Sequence, residues 1–517
     1  MSAGSEAVNA VSSAIRIDYV SPLPPVRSGI ADYSRDLLPH LSRHCDLRVI
    51  AVPGQPIDAA VRKRFQPVAA GGLGADGRLP LYQMGNNPHH AEVWKLAVNT
   101  PGVVTLHDVV LHHLLIESTL GRGDHESYAR RLEADHGWIG RLIARARRWG
   151  ELSDAAVFEL PAHRDLVRHQ RGVLVHSEWA AFQVREENPD VAVRVVPMGV
   201  PLPERVSQDA AAEFRRKFGL PEDRPLLGSF GFQTPIKRTD VAVRALAEPG
   251  LADAHLVIAG EVSETLDLEG LAQELGVSER VHVTGFLDYG EFEAAITACD
   301  LCLNLRYPTA GETSASLLRV LALGRPALVS DYAQFAELPA EVALKVPLGE
   351  AEVASLANVA AEAVSNRKTL QAMGEAARRH VRELHDPDLA ARSFVAACGE
   401  LAQVDPPGPA SVRTGPPTTL LWQDLPGEIE VRAAEAPWPE GAPRELSIRL
   451  GNSGPARWLP TKEDPGGVIL DVQWRRERGG EAMERTWAEL PHALDAGEHY
   501  DFRVELRRPR GSRFLVV

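Results

Sequence analysis

Cysteine is scarce in this chain of 517 residues, which has only Cys45, Cys299, Cys302 and Cys398. So few thiols in so long a chain cannot form a disulfide framework. Cys299 and Cys302 have the spacing of a redox or metal pair. No second Cys/His pair stands near them, however, and Cys302 shares the alternating face of an apolar strand, so a packed core pair is expected. Long apolar runs are also lacking: none approaches the ~20 residues of a membrane span. Met1 to Ser13 is small and polar, without the basic-then-apolar layout of a signal peptide. Positive charge is in deficit, with 56 Lys and Arg against 70 Asp and Glu and a net charge of −14. That balance argues against bulk nucleic-acid binding, because a polyanion would meet a like-charged partner. These absences exclude a secreted disulfide scaffold, an integral membrane protein and a nucleic-acid binder, and they point to the cytoplasm.

What is present reads as a large soluble globular chain, 44% hydrophobic and 24% charged. Its length suits about three domains of ~150 residues. The most informative stretch is 300–331. Leucines at 301, 303 and 305 alternate as in a strand. A Pro/Gly turn follows, carrying Glu312. Thr313-Ser314 then opens a helix that closes at Gly324-Arg325-Pro326, and Ala327 to Asp331 is a second apolar strand. Strand, loop, helix, strand is the crossover of a parallel sheet. Glu312 lies where open α/β sheets bind ligands, and the helix N-terminus behind it favours an anion. The plainer reading of Glu312 is a carboxylate in the first turn of a helix.

The same grammar recurs along the chain. Strands are expected at 15–20, 47–52, 81–84, 102–108, 172–177 and 193–200, and again at 225–232, 255–260 and 281–286. Residues 53–78 read as loop and residues 124–170 as helix. Between the first strand and its helix, the prolines up to Pro25 forbid helix, and Gly29 lets backbone approach a ligand. His107 ends a strand, where it is either a neutral hydrogen-bonding group in a cleft or a satisfied structural histidine. The cluster His89, His90, His107, His112 and His113 lacks the Cys/His spacing of a zinc site. Gly231 precedes Lys237 and Arg238 at another strand-to-helix turn, where a lysine can hold a diphosphate. In 124–170 the arginines 130, 131, 141, 145, 147 and 148 interleave with Leu142, Ile143 and Trp149. This is either a solvated helix face or a contact for an anionic membrane surface.

Pro308, Glu312, Gly324 and Pro326, in that order, resemble the donor-site segment of retaining glycosyltransferases of the GT-B fold, family 4. The likeness extends from residue 15 to about 402. It implies an α/β fold of two Rossmann-like domains facing a cleft, at 14–200 and 201–386, with a helix at 387–402 packed back on the first. The implied reaction moves a sugar from a nucleotide-sugar to a saccharide or lipid-linked saccharide acceptor with retention, as in bacterial cell-surface polysaccharide or glycolipid synthesis. No metal or other cofactor is implied. In this likeness Glu312, Lys237 and His107 are catalytic: Glu312 holds donor-sugar hydroxyls, Lys237 stabilises the departing diphosphate, and His107 positions the sugar. Gly29, Gly231, Arg238, Thr313 and Ser314 line the donor, and Gly285, Phe286 and Leu287 lie against its nucleobase. The chain departs from the pattern twice. Phe232 stands where an arginine is usual, with Arg238 as a substitute, and Arg319 stands where a second glutamate is usual. Arg319 faces either the cleft, pairing with a donor phosphate, or solvent. These departures keep a non-catalytic glycan-binding relative in view, and a GT-B epimerase or phosphorylase is a further alternative.

Beyond a Pro-rich linker at 405–417 the pattern changes. Short alternating strands with Gly turns, such as 446–450, 468–474 and 500–506, predict an all-β sandwich over 418–517 that loosely resembles Ig-type accessory domains.

Overall fold

The computed structural model describes residues 15–152, 154–203, 207–408, 427–432, 438–454, 457–458, 468–476, 484–508 and 514–516. The chain divides into two compact units, one of Met1–Gly123 with Asp154–Ala410 and one of Asp124–Ser153 with Ser411–Val517.

The first unit holds two parallel sheets. One is built from β1 (Arg16–Val20), β2 (Asp46–Ala51), β3 (Val68–Ala69), β4 (Leu79–Met84), β5 (Val103–Leu106), β6 (Gly172–Val175) and β7 (Val193–Val195). Its spatial order is β3-β2-β1-β4-β5-β6-β7. The other is built from β8 (Leu226–Phe230), β9 (His255–Ala259), β10 (Val281–Gly285), β11 (Leu301–Asn304), β12 (Ala327–Ser330) and β13 (Ala343–Val346), in the order β10-β9-β8-β11-β12-β13. Strands such as β5, β6, β8 and β12 are buried along their whole length, as parallel strands covered on both faces must be. Strand order reverses between β1 and β4 in the first sheet and between β8 and β11 in the second. Loops leaving the carboxyl ends of those strands diverge there and open a crevice, the usual ligand position in such sheets. This is the α/β, GT-B arrangement of two Rossmann-like sheets.

Two expectations fail in detail. Residues 53–78 are not all loop: Ala59–Phe65 is helical, because Asp58 caps it by accepting from Ala60 N and Val61 N. Nor is 124–170 one helix. His125–Arg148 is interrupted at Gly137 and ends before Gly150, whose φ of +75° stops it, and a short helix Arg164–Arg168 follows. Cys299 and Cys302 are each 1% exposed, a packed pair as their sequence context implies.

The chain passes between the two sheets twice, and the passages are laced together. Val200 N donates to His385 O at 3.0 Å, and His385 Nδ1 donates to Met198 O at 2.9 Å. Any side chain at Gly199 would collide with Pro387 and Ala390. The returning helix Pro387–Leu401 lies against helix Gly29–Leu41, burying Phe394 and Leu401 and pairing Asp388 with His44 at 2.9 Å.

In the second unit, β14 (Gly427–Arg432), β15 (Pro443–Asn452) and β18 (His499–Arg507) form one antiparallel sheet. β16 (Ile469–Arg476), β17 (Glu484–Glu489) and β19 (Phe514–Val516) form another. Leu446, Ile448, Leu450, Trp458, Leu470, Phe502 and Val504 make their common core. Of the expected linker, residues 409–417 lie outside the described residues. On helix His125–Arg148, Arg141 pairs with Glu133 at 2.6 Å, and Arg145 lies over Trp149, which is 60% exposed. No helix among the described residues is long and apolar enough to cross a membrane.

Candidate active site

The loop after β11 is folded around the Glu312 carboxylate. Thr309 Oγ1 donates to Glu312 Oε2 at 2.9 Å and Ala310 N donates to the same oxygen at 3.1 Å. Arg306 Nε lies 2.8 Å from Glu312 Oε1. Gln334 fixes the loop from behind, donating to Thr309 Oγ1 and to the Glu312 carbonyl at 3.1 and 2.7 Å. Ser314 is the N-cap of helix Ala315–Ala322, accepting from Leu317 N at 3.2 Å, and Thr313 sits just before it. Glu312 is therefore not a mere first-turn carboxylate. It lies outside the helix and is held by donors from its own loop.

The neighbouring loop, after β8, brings a lysine to the same corner. Gly231 has φ +84°, and a Cβ there would sit 2.9 Å from Lys237 Nζ. Glycine thus provides both the left-handed backbone and the room. Lys237 Nζ donates to Phe230 O at 2.6 Å. Burial, then the charge of Arg306, pushes the Lys237 amine down to about 7, while Glu312 acts in the opposite direction. An anion arriving here would restore the full charge.

Other expected residues are less uniform. Arg238, the expected substitute for an arginine at Phe232, adopts φ +54° and pairs with the buried Glu352 carboxylate. Phe232 itself is 56% exposed. Gly285 has φ +71° with open space around it, Phe286 is 77% exposed, and Leu287 is buried in the core, so only Phe286 presents a free face. Beside them a cavity of about 420 Å³ is lined by Gly260, Val262, Ser263, Leu266 and Val283. Gly29 opens its helix with nothing within 4 Å of its missing Cβ. Arg319 lies over the Tyr289 ring at 5.0 Å, and Tyr289 in turn feels Asp36 of helix Gly29–Leu41.

His107 is enclosed by its neighbours. It is 4% exposed; its Nε2 donates to Gln83 Oε1 at 2.8 Å, and its Nδ1 lies 3.3 Å from His176 Nε2. Burial holds it well below the usual imidazole range. Its neighbour Asp108 is the residue that emerges. Asp108 is half-buried, and burial together with the Glu312 charge pushes its carboxyl up to about 7. The next two residues clamp the donor loop, with Val109 N and Val110 N both donating to Ala310 O at 2.7 and 3.0 Å. Arg306 was also overlooked. For Asp108 a parity signal was available, since successive residues of an extended segment face opposite ways, so that if His107 points inward Asp108 points out. Arg306, on the opposite face from the leucines at 301, 303 and 305 and only 5% exposed, carries no such signal.

With this geometry in place, comparison with known proteins is informative. Residues 211–380 match the family described as glycosyl transferases group 1. The D-inositol 3-phosphate glycosyltransferase of Nocardia farcinica is 26% identical over 48% of this chain and 60% of its own length. The curated relatives matched are spanned over only 30% to 60% of their length. Sucrose-phosphate synthase from Thermosynechococcus elongatus superposes with a TM-score of 0.52 at 17% identity, over 75% of this chain and 99% of that one. Anabaena HepE, solved with UDP and glucose, gives 0.51 at 13% identity over the same shares. At such identities the structures establish the fold. The chain has the GT-B fold, and its residues 211–380 are similar to the glycosyl transferases group 1 family.

Proposed function

We propose that the chain is a glycosyltransferase that moves a sugar, with retention, from a nucleoside-diphosphate sugar to a saccharide or lipid-linked saccharide, in bacterial cell-surface polysaccharide or glycolipid synthesis. The observation that carries this reading is the junction of Lys237, Arg306 and Glu312 at the strand-order reversal of the group 1 domain. The diphosphate lies against Lys237 and the Ser314-capped helix N-terminus, both of which favour negative charge as the leaving group departs. Glu312, held by Arg306, Thr309 and Ala310 N, accepts hydrogen bonds from donor-sugar hydroxyls. Phe286 offers its exposed ring to the base. The solved complex of a fold neighbour with UDP and glucose supports the choice of donor class. No metal is assigned a role. We place the chain in the cytoplasm, with the arginine-rich helix His125–Arg148 touching the inner face of the membrane, and read the C-terminal sheets as an Ig-type accessory sandwich.

The test is calorimetric titration with UDP, GDP, ADP and dTDP, followed by anomer assignment of the transferred sugar by NMR. Binding of one diphosphate and transfer with retention are expected. Failure of all four to bind would sink the proposal, and an inverted product would remove its stereochemical part.

A further inference from the structure

A cavity of about 490 Å³ lies where three segments meet. Val195 and Pro197, at the end of β7, reach it from the first sheet. Leu317 and Leu318 reach it from helix Ala315–Ala322, and Leu384 and Leu389 from the returning chain. Lys237, Glu312 and Arg319 are not in its wall, so it is separate from the donor corner. A space of this size, mostly apolar with a few polar groups, has the form of a small-molecule site.

Two histidines set its polarity. His385 Nδ1 donates to Met198 O at 2.9 Å, so the proton sits there and Nε2 keeps its lone pair. That nitrogen has no hydrogen-bond partner among the described residues, yet it is not enclosed by them. Burial holds the His385 ring at about 4 and draws the His380 ring below its usual range, so both are neutral near pH 7. The two ring centres are 5.7 Å apart, near enough for one hydroxyl to donate to His385 Nε2 and accept the His380 N–H. Among the described residues the wall has no lysine or arginine. Its carboxylates already have partners: Glu337 accepts from Glu178 N at 3.2 Å and from Trp179 N, and Glu178 lies 3.9 Å from Arg185. An anion would meet carboxylates and no cation. A cation would leave water for apolar walls and neutral rings, which is costly.

We propose that this cavity is a second binding site, for an uncharged, largely apolar molecule carrying a hydroxyl, and that its occupation holds the two sheets together. The coupling follows from the wall. His385 ties the two passages between the sheets, accepting from Val200 N and donating to Met198 O. Gln334, also in the wall, donates to Thr309 Oγ1 and to the Glu312 carbonyl. A ligand that fills space between the sheets binds only the arrangement in which that space exists, and stabilises it by mass action.

The probe is 2-naphthol, compared by calorimetry with 2-methoxynaphthalene, which cannot donate, and with the charged 2-naphthoate and 2-naphthylmethylammonium. The alcohol should bind tightest, by about tenfold over the ether. Leu384 lines the cavity and is 49% exposed, so Leu384→Trp can cover the opening without disturbing the core. Ser393→Phe fills the space from the facing helix. At least one of the two should weaken 2-naphthol by about tenfold or more. The coupling is read by hydrogen exchange at Val109 N and Val110 N, which are outside the wall and donate across the sheets to Ala310 O. At about ten times Kd, 2-naphthol should slow their exchange by about tenfold in wild type, and by less in a variant that binds it weakly. Absence of binding, or unchanged binding in both variants, would overturn the site. Tighter binding of either ion, or of the ether, would overturn its chemical class. Binding that leaves exchange at Val109 and Val110 unchanged would overturn the coupling.

Discussion

The two crevice corners are built on opposite principles. Around Glu312 in the second sheet, side chains are tied to one another: Arg306, Thr309 and Gln334 brace the loop, and Lys237 donates to Phe230 O. Around Asp108 in the first sheet the ties among the described residues are fewer: Asn86 N donates to Asp108 Oδ2 at 2.8 Å, and His90 Nε2 is buried without a hydrogen-bond partner. One corner is preorganised before any ligand arrives, and its cations suit an anion. The group 1 family match covers the braced corner and stops short of the other. A fixed diphosphate geometry would produce such bracing, because it demands one arrangement.

The contrast can be broken most severely on the braced side. Lys237→Ala or Glu312→Gln should lower transfer by about 10²–10³-fold with little change in thermal midpoint, since each removes one oriented charge at the developing anion. Turnover near wild type in either variant would contradict the roles given to both.

Uncoupling the corners should cost somewhat less. Gly311 has φ +83°, and a Cβ there would meet Val109 Cγ2 at 2.4 Å and Trp179 Cζ3 at 2.9 Å. Gly311→Ala should push the donor loop off the first sheet, slowing transfer by about 100-fold while leaving diphosphate affinity nearly intact. Parallel loss of binding and transfer would mean that the loop is shaped by its own sheet alone.

Smaller still is a proton effect confined to the braced side. Lys237 is held at about 7 in the free chain, and a bound diphosphate raises it. Binding above about pH 7 must therefore take up a proton, and affinity should fall by up to about tenfold per pH unit until the complexed lysine titrates. Calorimetry in buffers of different ionisation enthalpy reads the uptake directly, and Lys237→Arg should abolish it.

The smallest change is expected at Arg319. Its guanidinium rests on the half-exposed Tyr289, an interaction worth about 0.5–1 kcal/mol at such sites. Arg319→Ala should weaken diphosphate binding by only a few-fold and leave nucleoside binding unchanged. Equal loss for both ligands would move Arg319 to the ribose.

Much of the scaffold was readable from residue order, because buried parallel strands announce themselves as short apolar runs and helix ends carry their punctuation at Ser314 and Gly324. Glu312, Lys237 and Gly231 stand on such turns and were legible for that reason. Helix Ala59–Phe65 was hidden by the Gly/Pro-rich composition around it. Asp108 and Arg306 were hidden differently. What distinguishes them is the company they keep: Asp108 acquires its raised carboxyl range from burial and then from the charge of Glu312, which reaches it only after the second sheet has formed. The enclosure of His107 was hidden for the same cause, because nothing local says that Gln83 and His176 will close over its ring.

The paired passages between the sheets have a mechanical consequence. A single covalent tether would let one sheet swivel about the other in any direction. Here Met198 and Val200 are stitched to His385, and the gap at Gly199 is filled by Pro387 and Ala390. Two passages fastened at one place restrict that swivelling more than one passage would. Opening the crevice about that crossing breaks the hydrogen bonds of Val109 N and Val110 N to Ala310 O, so these two bonds latch the sheets as the crossing tethers them.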